Sequence, residues 1–274
     1  MKSVLSGIVA IGLLAAGGYA VVRVLDNRAT FPMLSECAVT GSETVHLDSE
    51  QMAHAATIAA VGLRRELPVH AVTVALATAL QESKLRNLTN GDRDSVGLFQ
   101  QRPSQGWGEP AQLNDPRYAA GAFYDRLLRV PDWESMRVTE AAQAVQKSAH
   151  PEAYQKWAAE AEVLATGLAG QTPAAVACTV ADGATATGSA ALRKAITQDW
   201  GDVPVGTPSA SGVTLRAADK QTGWQLAHWL VAHAAAHGVH DVAYGGQSWT
   251  AESGEWRPTD VRNTAVVVTL NPAA

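Results

Sequence analysis

The stretch from Pro68 to Gln100 reads PVHAVTVALATALQESKLRNLTNGDRDSVGLFQ, and it decides the fold of the first half of the chain. Proline is favoured in the first turn of a helix, and few polar side chains follow it before Gln81 and Glu82. A helix that is apolar on every side is buried, and this one is too short to span a bilayer. The sequence therefore predicts a core helix that presents the Glu82 carboxyl group at its C-terminal end.

The chemistry of Glu82 follows from this predicted position. Burial and the negative end of the helix dipole both disfavour ionisation there, so the pKa of the carboxyl group should be raised. A carboxylic acid that stays protonated near neutral pH can protonate the oxygen of a glycosidic bond as that bond breaks. The alternative is that Glu82 is simply the first solvated residue at a helix end.

A second motif follows the first. Glu82 and Ser83 are succeeded, after a polar turn, by the segment SVGLFQ at 95–100. This arrangement resembles the lytic transglycosylase and goose-type lysozyme superfamily, in which a Glu-Ser pair ends a buried helix and a G-L-M-Q or G-L-F-Q element follows. The resemblance covers roughly 48–166 and implies a mainly α, lysozyme-like domain in which Glu82 is the general acid and base.

The resemblance also implies a substrate-binding set. Ser83 would help to hold the acid or the substrate, and Gly97 would let the chain pass close to a sugar. Phe99 would pack into the core, while Gln100 would offer its amide to an N-acetyl group or to backbone. Aromatic faces and amides suit sugar rings, which brings in residues further along the chain. The predicted substrate-binding residues are Ser83, Gly97, Phe99, Gln100, Gln101, Trp107 and Tyr118.

The third motif of that superfamily is not matched. It is typically A-Y-N on a later helix and should fall at 144–146, where this chain has Ala, Val and Gln. Tyr154 could approach from the following turns. The departure favours the alternative of a non-catalytic protein that binds glycan or positions other envelope proteins.

The need for a second carboxylate separates two reactions. A lysozyme-type hydrolase usually needs one, whereas a lytic transglycosylase uses the 6-hydroxyl group of its own substrate and needs a single Glu. Asp92 and Asp94 lie close in sequence to Glu82, but short acidic side chains beside Asn90-Gly91 are also typical of turns. The sequence leaves both reactions open.

The first 25 residues predict a membrane anchor. No charge occurs from Ser3 to Val22, and a helix of about 20 residues spans the roughly 30 Å of a bilayer core. We expect a single transmembrane helix at 1–25, a stalk and first extended segment at 26–47, and the bulk of the chain outside the cytoplasm. The alternatives are a secreted protein, if the segment is cleaved, and a buried helix in a soluble domain.

The two cysteines, Cys37 and Cys178, predict one disulfide, because an even pair in an exported protein is most simply paired. The alternative is two buried free thiols. Neither cysteine has the His or Cys neighbours of a zinc site. We expect no metal and no other cofactor.

A shift in composition predicts a second domain. The segment 167–190 is rich in Gly, Ala, Thr and Pro and is typical of a linker. We therefore expect a lysozyme-like domain at 48–166 and a small α+β domain at 191–274. The stretch from Trp224 to Pro258 resembles a C-terminal domain of actinobacterial cell-wall proteins, which implies partners in the cell envelope.

The histidines of this second domain carry a weaker signal. The final strand of the resembled domain bears alternating histidines, whereas 263–270 has none. His233 and His237 are four residues apart and could face the same way on a helix as a metal site. Half-buried or solvated histidines on an Ala-rich helix are the favoured interpretation.

Charge excludes one class of partner. The formal charge of −5 and a pI near 5.9 provide no basic face for nucleic acid. The predicted function is cleavage of the β-1,4 linkage between MurNAc and GlcNAc in peptidoglycan by a membrane-anchored envelope enzyme.

Overall fold

The structure, a computed structural model, describes residues 35–148, 150–181, 184, 186–206, 211–260 and 264–272. The predicted transmembrane helix at 1–25 lies outside these residues, as does the first part of the predicted stalk. Within the described ranges no helix combines the length and the apolar character that a bilayer span requires.

Nine α-helices occur in the described ranges, together with short 3-10 turns at Pro103–Gln105, Trp133–Ser135 and Gln155–Trp157. The helices are α1 Ser49–Leu63, α2 Val69–Ser83, α3 Pro110–Leu113, α4 Pro116–Leu127, α5 Val138–Gln146, α6 Ala158–Leu168, α7 Ser189–Trp200, α8 Lys220–Ala232 and α9 Ala234–His237.

The first two helices begin where their sequences indicate. Asp48 caps α1, since its side chain accepts a hydrogen bond from the Gln51 backbone N–H at 2.9 Å while the Gln51 side chain accepts one from the Asp48 N–H. Pro68 lies immediately before α2, as predicted. Helix α2 is surrounded by α1, α5 and α6, so its apolar sides are all buried.

The first sheet joins two distant parts of the chain. Its strands are β1 Glu36–Thr40, β2 Thr44–Asp48 and β3 Val176–Thr179, in the antiparallel order β2-β1-β3. Cys37 in β1 lies directly opposite Cys178 in β3, with 4.0 Å between their Cα atoms. The predicted disulfide is confirmed.

The second sheet is antiparallel and has the order β4-β8-β5-β6-β7. Helix α8 packs on strands of this sheet on one side and on α1 on the other. The strands are β4 Gly212–Arg216, β5 Val239–Tyr244, β6 Gln247–Thr250, β7 Trp256–Pro258 and β8 Ala265–Leu270.

The expectation of a mainly α protein with a small α+β domain at its end is wrong, because the fold is an α+β mixture. Strands occur at both ends of the helical part, and the predicted stalk and linker contribute β1, most of β2, and β3. Strands of four or five residues show little alternation in sequence, so their pairing is decided by partners far along the chain. The described residues from Ser35 onward pack as one unit, and the predicted domain boundaries stay predictions.

Candidate active site

Helix α2 delivers Glu82 to a polar cleft. Residues 71–80 of the helix are buried, and Lys84 ends it by adopting a left-handed backbone conformation with φ of 57°. The half-buried Glu82 therefore lies where the core meets an open cleft of about 430 Å³. The lining residues are Glu82, Asp92, Arg93, Ser95, Gln100, Arg102, Gln105, Trp107, Gln146, Lys147 and Ser148.

The Glu82 carboxyl group is subject to opposed influences. Burial raises its pKa. The Tyr154 hydroxyl donates a hydrogen bond to Glu82 Oε1 at 2.8 Å, and this bond, the Gln146 side chain and the Lys84 charge each lower the pKa. Burial is the largest effect, so the pKa is raised overall. The protonated form of the carboxyl group is thereby favoured.

The GLFQ segment is fastened to α2 from behind the cleft. The buried Ser83 hydroxyl donates a hydrogen bond to the Leu98 carbonyl at 2.8 Å. Gly97 has φ of 78°, and a Cβ atom there would lie 2.3 Å from the Leu113 carbonyl oxygen. Only glycine fits this close approach. Both residues hold the wall of the cleft in place.

Gln100 lines the cleft, and its side-chain amide forms hydrogen bonds within the protein. Its Nε2 donates to the Gly97 carbonyl at 3.2 Å, and its Oε1 accepts from the Ser95 hydroxyl at 3.1 Å. A Cβ atom on Gly91 would lie 1.7 Å from the same Oε1. The close approach of Gly91 leaves room for this orientation.

The other predicted substrate-binding residues divide between the cleft and the core. Trp107 lines the cleft. Phe99 is buried and stacks on Phe123 with ring centroids 4.9 Å apart. Gln101 is 1% exposed and its Nε2 donates to a backbone carbonyl. Tyr118 is partly exposed, and its hydroxyl donates to the Trp107 carbonyl at 3.3 Å. Their roles toward substrate stay predictions.

Two residues outside the predicted set complete the site. Gln146 ends α5, lines the cleft, and its Nε2 donates to the Phe99 carbonyl at 2.8 Å. Tyr154 brings a hydroxyl to Glu82 from outside the expected motif position. The sequence signal for Gln146 was its place at the end of the third motif, while Tyr154 is 72 residues from its partner.

The two aspartates that follow Glu82, Asp92 and Asp94, differ in their hydrogen bonds and ion pairs. Asp94 forms an ion pair with Arg102 at 2.9 Å and accepts a hydrogen bond from the Ser104 backbone N–H at 2.8 Å. These bonds lower its pKa, so it is a structural anion of the turn. Asp92 has a solvent-exposed side chain and lines the cleft.

The histidines of the C-terminal part form structural hydrogen bonds. His228 is fully buried, and its ring nitrogens lie 2.8 Å from the Gly167 carbonyl oxygen and 3.1 Å from the Ala175 backbone nitrogen. His233 Nδ1 lies 2.9 Å from the Trp229 carbonyl oxygen. Within the described part of the chain, no group of His, Cys, Asp and Glu side chains is arranged to hold a metal ion.

Comparison with known proteins concerns the C-terminal part. Residues 193–266 match the family described as VldE, C-terminal domain. No curated protein matches the chain. The matched range contains β4, α8 and the β5–β7 strands but not Glu82 or its cleft, and it falls within the predicted domain at 191–274.

Proposed function

We propose that this chain cleaves the β-1,4 linkage between MurNAc and GlcNAc in peptidoglycan, with Glu82 as general acid and then general base. The observation that carries the proposal is a carboxyl group with a raised pKa that lines an open polar cleft. The pair formed by Glu82-Ser83 and the GLFQ segment, which resembles lytic transglycosylases, supports it.

The proposed reaction begins with the protonated Glu82. It donates its proton to the oxygen that leaves with GlcNAc, while positive charge develops at C1 of MurNAc. The Tyr154 hydroxyl, already bonded to Glu82 Oε1, stabilises the carboxylate that results. That carboxylate then accepts a proton from the oxygen that attacks C1, which regenerates the acid.

The cleft favours the substrate's own 6-hydroxyl group as the attacking oxygen. Asp94 is tied to Arg102 and the Ser104 backbone, which leaves Asp92 as the second carboxylate among the lining residues. The Asp92 side chain is solvated and has Arg93 3.9 Å away. A mechanism that needs one carboxylate fits this cleft, and its product is a 1,6-anhydro sugar.

A second candidate function is glycan binding without cleavage. It is favoured by the departure at 144–146, where Ala, Val and Gln replace the expected A-Y-N. Because Tyr154 supplies a hydroxyl to Glu82 from another segment, this departure removes less of the site than the sequence alone implies.

The proposed substrate places the cleft outside the cytoplasm. The Cys37–Cys178 disulfide supports this location, because disulfides persist in oxidising compartments and are rare in the cytoplasm.

The proposal is tested by mass spectrometry of purified peptidoglycan after incubation with the full-length chain. We expect 1,6-anhydro muropeptides from the wild type and at least about a hundredfold less product from Glu82→Gln, since general acid–base catalysis supplies about that much. Glu160→Gln is the matched control, because Glu160 is also a partly buried carboxyl group with a raised pKa but does not line the cleft. It should release product at the wild-type rate.

The products separate the alternatives. If the Glu82-dependent products are muropeptides with a reducing end, the reaction is hydrolysis and not transglycosylation. Glycan binding by wild type and Glu82→Gln, with release from neither, would establish the non-catalytic function. Equal release from both proteins would exclude Glu82 as the acid.

A further inference from the structure

A second groove adjoins the Glu82 cleft. It encloses about 370 Å³ and is lined by Gly106, Val130, Ala144 and three cationic side chains. We name these cations, Arg126, Arg129 and Lys147, the cationic arm.

The second groove and the Glu82 cleft share one lining residue. Lys147 lines both, and Gly106 of the groove is the chain neighbour of Trp107 of the cleft. A chain of sugars that fills the cleft therefore brings its neighbouring substituents to the arm.

The three cations are not neutralised within the described part of the protein. None of them forms an ion pair with a described carboxylate, although most other arginines do. The Arg126 guanidinium lies 3.4 Å from the centre of the Trp107 ring and donates to the Gln105 carbonyl, so it is held beside two residues that line the cleft. Burial, and then the Arg129 charge, lower the pKa of Arg126.

The third cation of the arm is positioned by a different helix. Lys147 follows α5 with φ of 53°, a left-handed position where glycine is usual because it has no side chain to strain. Helix dipoles favour cations at the ends of α4 and α5. That effect does not account for Arg129, because Arg129 lies beyond the last residue of α4. The protein as a whole has a formal charge of −5, so a group of three cations is not a general feature of its surface.

We propose that the cationic arm binds carboxylates of the peptide substituents carried by the glycan strand, beside the linkage that is cleaved. The inference rests on the proposed function and adds a substituent requirement to it. Arg129 and Lys147 are solvent-exposed, and exposed cations attract carboxylates without full desolvation. Phosphate on an attached polymer has the same charge chemistry and is separated by experiment.

The test measures binding, so it does not depend on turnover. Glu82→Gln full-length protein is titrated with glycan strands that carry their peptides, with strands freed of peptides by an amidase, and with strands whose peptide carboxyls are converted to amides. We expect strands without peptides, and strands with amidated peptides, to bind about tenfold more weakly than untreated strands. Adding Arg129→Gln and Lys147→Gln to the Glu82→Gln protein should weaken its binding of untreated strands by the same factor.

Two controls accompany these variants. Arg193→Gln with Lys194→Gln removes two exposed cations of α7 that line neither groove, and it should bind like the parent. Arg129→Lys with Lys147→Arg keeps the charges and should restore binding.

The outcomes distinguish the two proposals. Unchanged binding by the arm variant, with strands still bound, overturns the arm and leaves the proposed function standing. If binding weakens when the peptides are removed but not when their carboxyl groups are amidated, recognition of carboxylates is overturned. If neither treatment weakens binding but the arm variant does, the arm binds phosphate instead. Absence of both strand binding and cleavage in the wild type overturns both proposals.

Discussion

The Glu82 carboxyl group shows how a single side chain acquires its properties from two sources. Helix α2 buries it, which disfavours the charged form, and Tyr154 and Gln146 offer hydrogen bonds that favour that form. The pKa therefore stays above its ordinary value of 4.5. When the proton leaves, the hydrogen bonds from Tyr154 and Gln146 stabilise the negative charge of the carboxylate. Such a balance suits a group that must act as both acid and base.

The raised pKa of Glu82 makes stability depend on pH. The folded state binds the proton of the Glu82 carboxyl group more tightly than the unfolded state does. The contribution of this proton to the free energy of unfolding is therefore complete below pH 4.5 and is lost as the pH rises through the folded-state pKa. Glu82→Gln carries no charge at any pH and still accepts from Tyr154. We expect its Tm at pH 7 to exceed that of the wild type, because the variant buries no charge at that pH.

Thermal unfolding from pH 3.5 to pH 8 checks this prediction. The difference in Tm between the two proteins should shrink toward zero below pH 4.5. A Glu82→Gln variant that is less stable than the wild type at pH 7, with no dependence on pH, would contradict it.

At the same scale, some of the residues predicted from the sequence meet at one cleft. Glu82, Gln100 and Trp107 were predicted and line one cleft. Tyr154 was named only as a possible neighbour, because no local pattern specifies a partner in another segment. Ser83 was predicted to help hold the acid or the substrate. Its hydroxyl donates to the Leu98 carbonyl, and its role toward substrate stays a prediction.

At the scale of the element, β3 shows how a segment of linker composition becomes ordered. Its small side chains carry little hydrophobic signal, yet Val176 and Cys178 are buried against β1. The disulfide joins residues 141 apart at directly opposed positions, so it fastens the two strands that flank the helices.

Removal of this disulfide should lower stability considerably. In the chain-entropy model a loop of this length is worth several kcal/mol, so we expect Cys37→Ala with Cys178→Ala to reduce the free energy of unfolding by about 2–5 kcal/mol. Urea denaturation followed by circular dichroism measures the change. Dithiothreitol should shift the midpoint of the wild type toward that of the variant and leave the variant unaffected; coincident midpoints without reductant would refute the prediction.

At the scale of the whole molecule, a buried carboxylate connects the helical part to the C-terminal part. Asp199 in α7 is 0% exposed and is ion-paired with Arg117 of α4. Its Oδ2 accepts hydrogen bonds from Thr57 of α1 at 2.9 Å and from Trp229 of α8 at 2.8 Å. Four helices therefore share one anion.

The neighbouring His233 does not neutralise Asp199. Its Nε2 lies 4.0 Å from Asp199 Oδ2, and burial lowers the pKa of the imidazole to about 4. Arg117 is thus the counterion of Asp199 near neutral pH.

Loss of Asp199 should affect the whole unit. Removing one partner of a buried ion pair leaves the other uncompensated, so we expect Asp199→Ala to cost about 3 kcal/mol, and Asp199→Asn less because two hydrogen bonds survive. Tryptophan fluorescence and circular dichroism should report one common unfolding transition for the wild type.

The exposed Asp202, two residues beyond α7, provides the matched control, and Asp202→Ala should unfold at the wild-type midpoint. An Asp199→Ala midpoint equal to that of the wild type would show that the network contributes nothing to stability.

The sequence by itself determined the features that neighbouring residues specify. The disulfide was predicted from a single pair of cysteines in a chain expected to be exported. The buried helix after Pro68 was predicted because helical periodicity and the placement of proline act within a few residues. These local features also positioned Glu82 at a helix end.

Only the tertiary structure decided which distant groups meet. The pairing of β1 with β3, the Tyr154 hydroxyl on Glu82 and the burial of Asp199 among four helices each join residues 30 to 143 positions apart. Such contacts depend on the packing of complete elements, since the free energy of each arises from burial and complementary hydrogen bonding that no single segment encodes.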